Sequence, residues 1–227
     1  MPLLETIGSS SSKGFGLNSF KATFPLGYGQ YGFNNNWTNT GTTGSMQQTA
    51  NAVFTTSPAK LGTHALSLDG TGDYATFDIA NNAYTHTIAF WIYPRDTADR
   101  SYIIDHRFSD AQDVGYWLYD NNGTATFGGS SEYIFNFTPT LNTWAHWAMV
   151  TDQSSGTMTW YQNGTVLASA SRLCKTTGRI CLGTYFGVIN SNQGQYYMNA
   201  VVDNLYISMN ALTPEQIQLL YTSQVSF

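Results

Sequence analysis

The sequence predicts an all-β protein, an antiparallel β-sandwich closed by a short C-terminal helix. Three observations lead there. Charged residues make up only 10% of the 227-residue chain while Tyr, Phe and Trp reach 15%, a balance that suits strands and polar turns. Short apolar or alternating runs recur between clusters of Gly, Ser, Thr and Asn. One segment alone has the start signals of a helix. At this length a single sandwich accounts for the chain, with residues 31–227 as the domain and residues 1–30 as an extended N-terminal docking arm.

The arm strings Gly8, Ser9, Ser10, Ser11, Ser12, Gly14 and Gly16 around Lys13 and Phe15. So little apolar surface cannot form a packed element, and another chain is expected to hold it. From about Tyr31 polar turns and β patterns follow. Ala65-Leu66-Ser67-Leu68 and Tyr74-Ala75-Thr76-Phe77 flank Asp69-Gly70-Thr71-Gly72-Asp73, which predicts a hairpin with a glycine-rich connection. Residues 87–93 and 145–151 are apolar on both alternating faces, the mark of strands covered on both sides, so Phe90, Trp91 and Trp147 are expected in the core. Further strands are expected over 102–107, 115–119, 124–127, 133–137, 157–162, 165–171, 180–185 and 200–208, with Asn-Gly turns at 122–123 and 163–164. The helix begins at Thr213-Pro214-Glu215-Gln216: an N-cap Thr, a Pro at the first helical position, an early acid and a Gln at N3. Ile217, Leu219, Leu220 and Tyr221 then give it an apolar face.

Nine basic residues against fourteen acidic ones, with no basic run, leave no electrostatic footprint for nucleic acid. Met1-Pro2-Leu3-Leu4-Glu5 has neither the basic nor the apolar region of a signal peptide, and no later run approaches the roughly 18 apolar residues of a membrane span. No secretion and no membrane insertion are therefore expected. Cys174 and Cys181 flank a segment that reads as a hairpin with facing ends, compatible with a disulfide or with two reduced, half-buried thiols. Sequons at Asn36, Asn122, Asn136 and Asn163 match what so much Asn, Ser and Thr yields by chance.

Four blocks between residues 31 and 221 resemble a known family, the laminin G-like, concanavalin A-like lectin/glucanase domains. Residues 62–74, from Gly62 through Ala65-Leu66 and Asp69-Gly70 to Asp73-Tyr74, are similar to its "G-x-x-A-L-x-F-D-G-x-x-D-Y" opening. Residues 88–94 resemble "F-T-x-x-x-W-V-x-P", and 144–150 with 160–164 resemble "W-H-H-V-A-x-V…L-Y-V-N-G". Residues 200–207 with 211–217 resemble "G-x-I-D-E-V-x-I-Y…A-L-S-x-x-E-I", although Ala200 stands where Gly is usual and Asn204 where an acid is common. The resemblance implies a jelly-roll sandwich of the laminin G type. It does not choose among the lectins, adhesion modules, glycanases and virion proteins built on that fold.

The related glucanases carry their catalytic acids as Glu-x-Asp-x-Glu on one strand, whereas this chain has only Glu5, Glu132 and Glu215, in an arm, a turn and a helix start. No catalytic residue is assigned and no enzyme activity is expected. Asp105 and His106 are adjacent and point to opposite faces of a strand, and His146 between Trp144 and Trp147 reads as a hydrogen-bonded structural histidine. The resemblance makes calcium the expected ion, in a structural role, with Asp203 as first candidate ligand and Asp69 and Asp73 next. Asp69 and Asp73 equally read as caps of a glycine-rich turn.

Sugar recognition combines rings that stack on apolar sugar faces with amides and carboxylates that bind hydroxyls. Two clusters have that make-up. One runs from Tyr116 and Trp117 through Tyr119, Asp120, Asn121 and Asn122; the other holds Tyr185, Phe186, Asn190, Asn192, Tyr196 and Tyr197. Tyr119, Asp120, Asn121, Asn122, Tyr185, Asn190, Asn192 and Tyr196 are the expected carbohydrate-binding residues, since strand ends and loops expose rings without breaking a ladder.

An adhesive sandwich with no signal peptide and a Gly/Ser arm suits a virion protein, made in the host cytoplasm and anchored by its terminus. The arm also resembles the openings of tailed-phage structural proteins. The expected role is a capsid-decoration or tail-fibre subunit on the virion surface, bound to other virion proteins through the arm. It is expected to be homo-oligomeric and to display a lectin-like domain to a glycan or host surface. A free lectin or adhesion module of a cell is the alternative, and an unusual glycoside hydrolase the third reading.

Overall fold

The structure, a computed structural model, describes residues 29–81, 83–96, 101–105, 116–121, 124–129, 132–184 and 196–223. The arm, apart from Gly29 and Gln30, lies outside them, as do His106, Asn122, Tyr185, Asn190 and Asn192.

Two antiparallel sheets face each other. The first, of eight strands, runs β13 (Thr165–Ala170), β12 (Thr157–Gln162), β11 (Ala145–Asp152), β6 (His86–Pro94), β15 (Asn199–Ser208), β4 (Ala65–Asp69), β3 (Val53–Thr55), with β1 (Gly29–Tyr31) also paired to β15. The second, of seven, runs β10 (Glu132–Phe137), β9 (Thr124–Gly129), β8 (Tyr116–Asn121), β7 (Ser101–Asp105), β14 (Thr177–Leu182), β5 (Tyr74–Asn81), β2 (Met46–Ala50). The strands expected from sequence are present, within a few residues at their ends; β1, β2 and β3 were not legible there.

Residues 65–68 and 74–77 do not form the expected hairpin. β4 bonds to β15 and β3, whereas β5 bonds to β14 and β2 in the other sheet. The connection is an arch across the sandwich, with Gly70 and Gly72 at φ 85° and 81° turning the chain. Leu66 and Leu68 thereby meet Ala75 and Phe77 from the opposite layer, in a core that also holds Phe90, Trp147, Val202 and Ile207. At the far end of β14, Gly183 has φ 89°, and a Cβ there would come within 2.8 Å of Leu68 Cδ1. The arch and this turn fit together only because that position has no side chain.

Of the two forms expected for the cysteines the structure has the free thiols, but not at the facing ends of a hairpin. Cys174 packs into the inter-sheet core from the segment before β14, while Cys181 joins a separate small cluster with Tyr74. Ile180 and Leu182 point inward, so pleating turns Cys181 to the other face, and both thiols are free and buried.

The helix, α1 (Pro214–Ser223), starts as its sequence dictates: the Thr213 N–H donates to Gln216 Oε1 at 2.9 Å, and the Gln216 N–H donates back to Thr213 Oγ1 at 3.3 Å. Ile217 and Leu220 bury themselves on Ala89, Ala148, Val150, Tyr161 and Tyr206, the outer face of the eight-stranded sheet. Each such side chain contributes about 1.5–3 kcal/mol. This explains why β6 and β11 are apolar on both faces. No helix among the described residues is long and apolar enough to cross a membrane.

Antiparallel alternation has one consequence for function. The connections β4–β5, β6–β7, β8–β9, β10–β11, β12–β13 and β14–β15 all emerge at the same end of the sandwich.

Candidate functional site

Among the described residues, that end collects most of those singled out by sequence. On the seven-stranded sheet, Tyr119 of β8 lies opposite Tyr102 of β7 and Thr126 of β9, and Thr126 lies opposite Asn136 of β10. Phe135 and Phe137 on either side of Asn136 pack into the core, which puts Asn136 on the outer face of this sheet. Tyr196 comes to this face from the β14–β15 connection. Its ring meets that of Tyr102 edge-on, centroids 5.9 Å apart, and its carbonyl accepts the Tyr102 N–H at 3.1 Å.

Tyr102 thus joins the two clusters that the sequence left separate. It was not among the expected residues, although its place before Ile103 and Ile104 marks it as the polar-facing member of a half-buried strand. Tyr196 holds φ 83°, a backbone region that costs a bulky residue of order 1–3 kcal/mol and that recurs at binding sites. Tyr197 has a different duty: it covers Cys181 and Tyr74. Asp120 lies opposite Ser101 and Asn121 opposite Thr124 in the ladder, which puts both at the same rim. The side chains of Tyr119, Asp120 and Asn121 lie outside the described ones.

The expected metal ligands have other work. Asp73 Oδ2 accepts the Asp69 N–H at 2.8 Å, and Asp69 Oδ1 accepts the Thr71 N–H at 2.7 Å, so both carboxylates cap the arch. Burial raises the Asp73 pKa. Asp203 sits in β15 where the strand changes partners: residues 199–202 pair with β4 and 205–207 with β1. Its Oδ2 accepts the N–H groups of Lys60 and Leu61, both at 2.9 Å, and fills the gap between those two neighbours. Burial pushes its pKa up to about 7 against the lowering effect of these bonds.

The next residue, Asn204, occupies a bulge at φ 53°, a conformation Asn tolerates better than the acid common at this place. Asp69 is level with Asn199, four residues along β15 from Asp203, or roughly 13 Å by strand rise. One calcium, bound at about 2.3–2.6 Å, cannot span that distance, and among the described residues no three His, Cys, Asp or Glu gather. These residues do not fit the ion.

His146 is structural, but not through the expected side-chain hydrogen bonds. Its Nδ1 is buried without a partner, and the ring packs edge-on against Trp91 at 5.3 Å and beside Tyr221 at 6.2 Å. Burial lowers its pKa to about 3, so it stays neutral. Glu132 opens β10 at the far end of the sandwich from the rim, and Glu215 lies in α1 behind the other sheet. The pair cannot flank one glycosidic bond, which requires about 5–9.5 Å between carboxyls.

Comparison with known proteins fits this geometry. The family described as the concanavalin A-like lectin/glucanases superfamily matches residues 69–218. The chain belongs to that superfamily. No curated protein matches it. Among solved structures, the botulinum neurotoxin serotype D binding domain aligns with TM-score 0.67 at 18% identity, over 88% of this chain and 52% of that one. The same neurotoxin's ligand binding domain in complex with N-acetylneuraminic acid aligns with TM-score 0.67 at 19% identity, over 91% of this chain and 53% of that one. The chain therefore spans about half the length of these toxin domains. Domain 4 of AbnA, a GH43 extracellular arabinanase from Geobacillus stearothermophilus, in complex with arabinotriose, aligns with TM-score 0.66 at 18% identity over 87% of this chain and 98% of that domain. At such identities the likeness establishes a lectin-like jelly-roll fold.

Proposed function

We propose that this superfamily domain is a non-catalytic, carbohydrate-binding module whose glycan lies across the outer face of the seven-stranded sheet at the loop end. The observation that carries the reading is the Tyr102–Tyr196 ring pair with Tyr119 opposite Tyr102 in the ladder. Half-buried tyrosines held by a ladder and by a backbone bond offer apolar faces to sugar rings at little entropic cost, with hydroxyls and nearby Asn and Asp for specificity. Structural neighbours in complex with arabinotriose and with N-acetylneuraminic acid support the ligand class. The wide separation of Glu132 and Glu215 supports binding rather than hydrolysis.

The setting we propose is the surface of a tailed-phage virion, as a capsid-decoration or tail-fibre subunit held through residues 1–28, since Gly29 and Gln30, expected in the arm, belong to β1 of the sandwich. It is supported by the Gly/Ser composition of that segment, which leaves it dependent on another chain for order. A glycan array probed with the whole chain tests binding: the expected hits are lost in Tyr102→Ala and Tyr196→Ala, and an array with no hits refutes the reading. Antibodies to the domain should label intact purified particles, and failure to label them removes the virion assignment while leaving the glycan assignment standing.

A further inference from the structure

A second feature of the same end lies on the other sheet. Where β6 ends and β11 begins, a cleft of about 150 Å³ is bounded by Pro94, Pro139, Thr140, Thr143, Trp144 and Gln162, with Asn163 at its side and Trp147 as its floor. Its walls are fixed. The Asn142 N–H donates to the Pro94 carbonyl at 2.8 Å, which ties the β10–β11 loop to the end of β6. The Asn163 N–H donates to the His146 carbonyl at 2.8 Å and Asn163 Oδ1 accepts the His146 N–H at 2.9 Å, which ties the β12–β13 turn to β11. Asn163 and Gly164, at φ 51° and 78°, make this the tight turn that their dipeptide predicts. A recess between anchored loops keeps its shape when empty, the condition for binding without an ordering cost.

We propose that this cleft is a second binding site, for a single neutral sugar ring. Trp144 is half-buried and its indole is braced by Tyr93, centroids 5.5 Å apart, so it is a fixed plane on which a sugar's C–H face can stack. The floor residue Trp147 is fully buried in the inter-sheet core, so it shapes the inner end of the cleft without offering it a hydrogen bond. The Gln162 amide and the Thr140 hydroxyl add both donors and acceptors at the mouth.

Among the described residues no charged side chain lines the cleft, which favours a neutral ring over a sialic or uronic acid. The volume falls below the roughly 300 Å³ at which drug-sized pockets begin, so it accommodates one ring and not a chain. The site shares its ligand class with the glycan reading of the seven-stranded sheet but stands on different residues, and it survives if that reading fails.

Indole N–H signals in ¹H–¹⁵N spectra of the whole chain test this directly. The probes are D-glucose, D-galactose, L-arabinose and N-acetyl-D-glucosamine, with N-acetylneuraminic acid as the charged control. At least one neutral sugar should shift the Trp144 and Trp147 indoles saturably, and the acid should not. Gln162→Ala should weaken that binding about tenfold, the loss of one hydrogen-bonding group, with the melting temperature unchanged. Tyr196→Ala, which strips the face of the other sheet, should leave it intact. The site is refuted if no neutral sugar moves those two signals, if the acid binds equally well, or if Gln162→Ala binds as the parent does. Shifts at Trp144 and Trp147 together with an empty glycan array would retain this site and remove the other.

Discussion

Asp203 Oδ2 and the backbone N–H of Leu61 lie 2.9 Å apart although 142 residues separate them in the chain. With the Lys60 amide bonded to the same oxygen, this carboxylate closes the seam where β15 passes from β4 to β1. Asp203→Ala leaves two amides without an acceptor, one of them fully inside, and should cost about 3 kcal/mol, seen as a fall in melting temperature of roughly 6–12 °C. Asp203→Asn keeps one acceptor oxygen and removes a buried charge, so its loss should be smaller. Equal melting temperatures for the alanine variant and the parent would exclude the role.

The pH dependence of stability should be flatter than either buried group alone would give. Asp203 and His146 both lie opposite Trp91, on its two flanking strands. Asp203 titrates near 7 when folded against 3.8 unfolded, so the folded state takes up the proton first and is stabilised as pH falls from about 7 to 4. His146 titrates near 3 when folded against 6.5 unfolded, so the unfolded state takes up the proton first and stability is lost as pH falls below 6.5. Each slope approaches about 1.4 kcal/mol per pH unit, and over the shared window they oppose each other. Lys60 Nζ lies 4.3 Å from the centroid of the same Trp91 ring. His146→Phe should therefore become more stable relative to the parent as melts are moved from pH 7.5 to 4.5, and Asp203→Asn should become less stable relative to it.

Binding and folding should separate by position. Trp147 is wholly buried among Phe90, Phe137 and Trp160, and its replacement by Ala should cost about 3–5 kcal/mol. Tyr196→Ala should change stability by under about 1 kcal/mol, since a half-buried ring is lost while its backbone bond to Tyr102 stays. Glycan retention should nevertheless collapse in Tyr196→Ala and in Tyr119→Ala. Full retention in both would move adhesion off this face.

The two thiols should be silent in the native protein. Burial raises the Cys174 pKa to about 11 and that of Cys181 well above the ordinary thiol value, which suppresses the reactive thiolate. A thiol reagent should titrate two groups per chain after denaturation and react far more slowly before it. One fast native thiol would contradict the burial of these side chains.

Chelation gives a further check. Because Asp69, Asp73 and Asp203 hold amides and stand too far apart to share an ion, EDTA should leave the melting temperature within about 1 °C, and millimolar calcium should not raise it. A calcium-dependent rise of several degrees would require a site outside these three residues.

Most of the local architecture was determined by the sequence itself. Apolar runs on both alternating faces fixed β6 and β11 as strands covered on both sides, Asn163-Gly164 fixed a tight turn, and Thr213 with Gln216 fixed the start of α1, since each depends on neighbours a few residues away. Tertiary structure decided what those faces meet. Leu68 and Phe77 read as partners in one hairpin, yet they pack from opposite sheets, because a period-two pattern states that a side chain is buried without stating which layer covers it. Asp203 read as a metal ligand because a carboxylate's partners were invisible until the chain brought Lys60 and Leu61 to it. Tyr102 went unnoticed, and Tyr119 and Tyr196 stood apart, for the same reason: a binding face is assembled across strands, and strand order in a sandwich is set by contacts dozens of residues long.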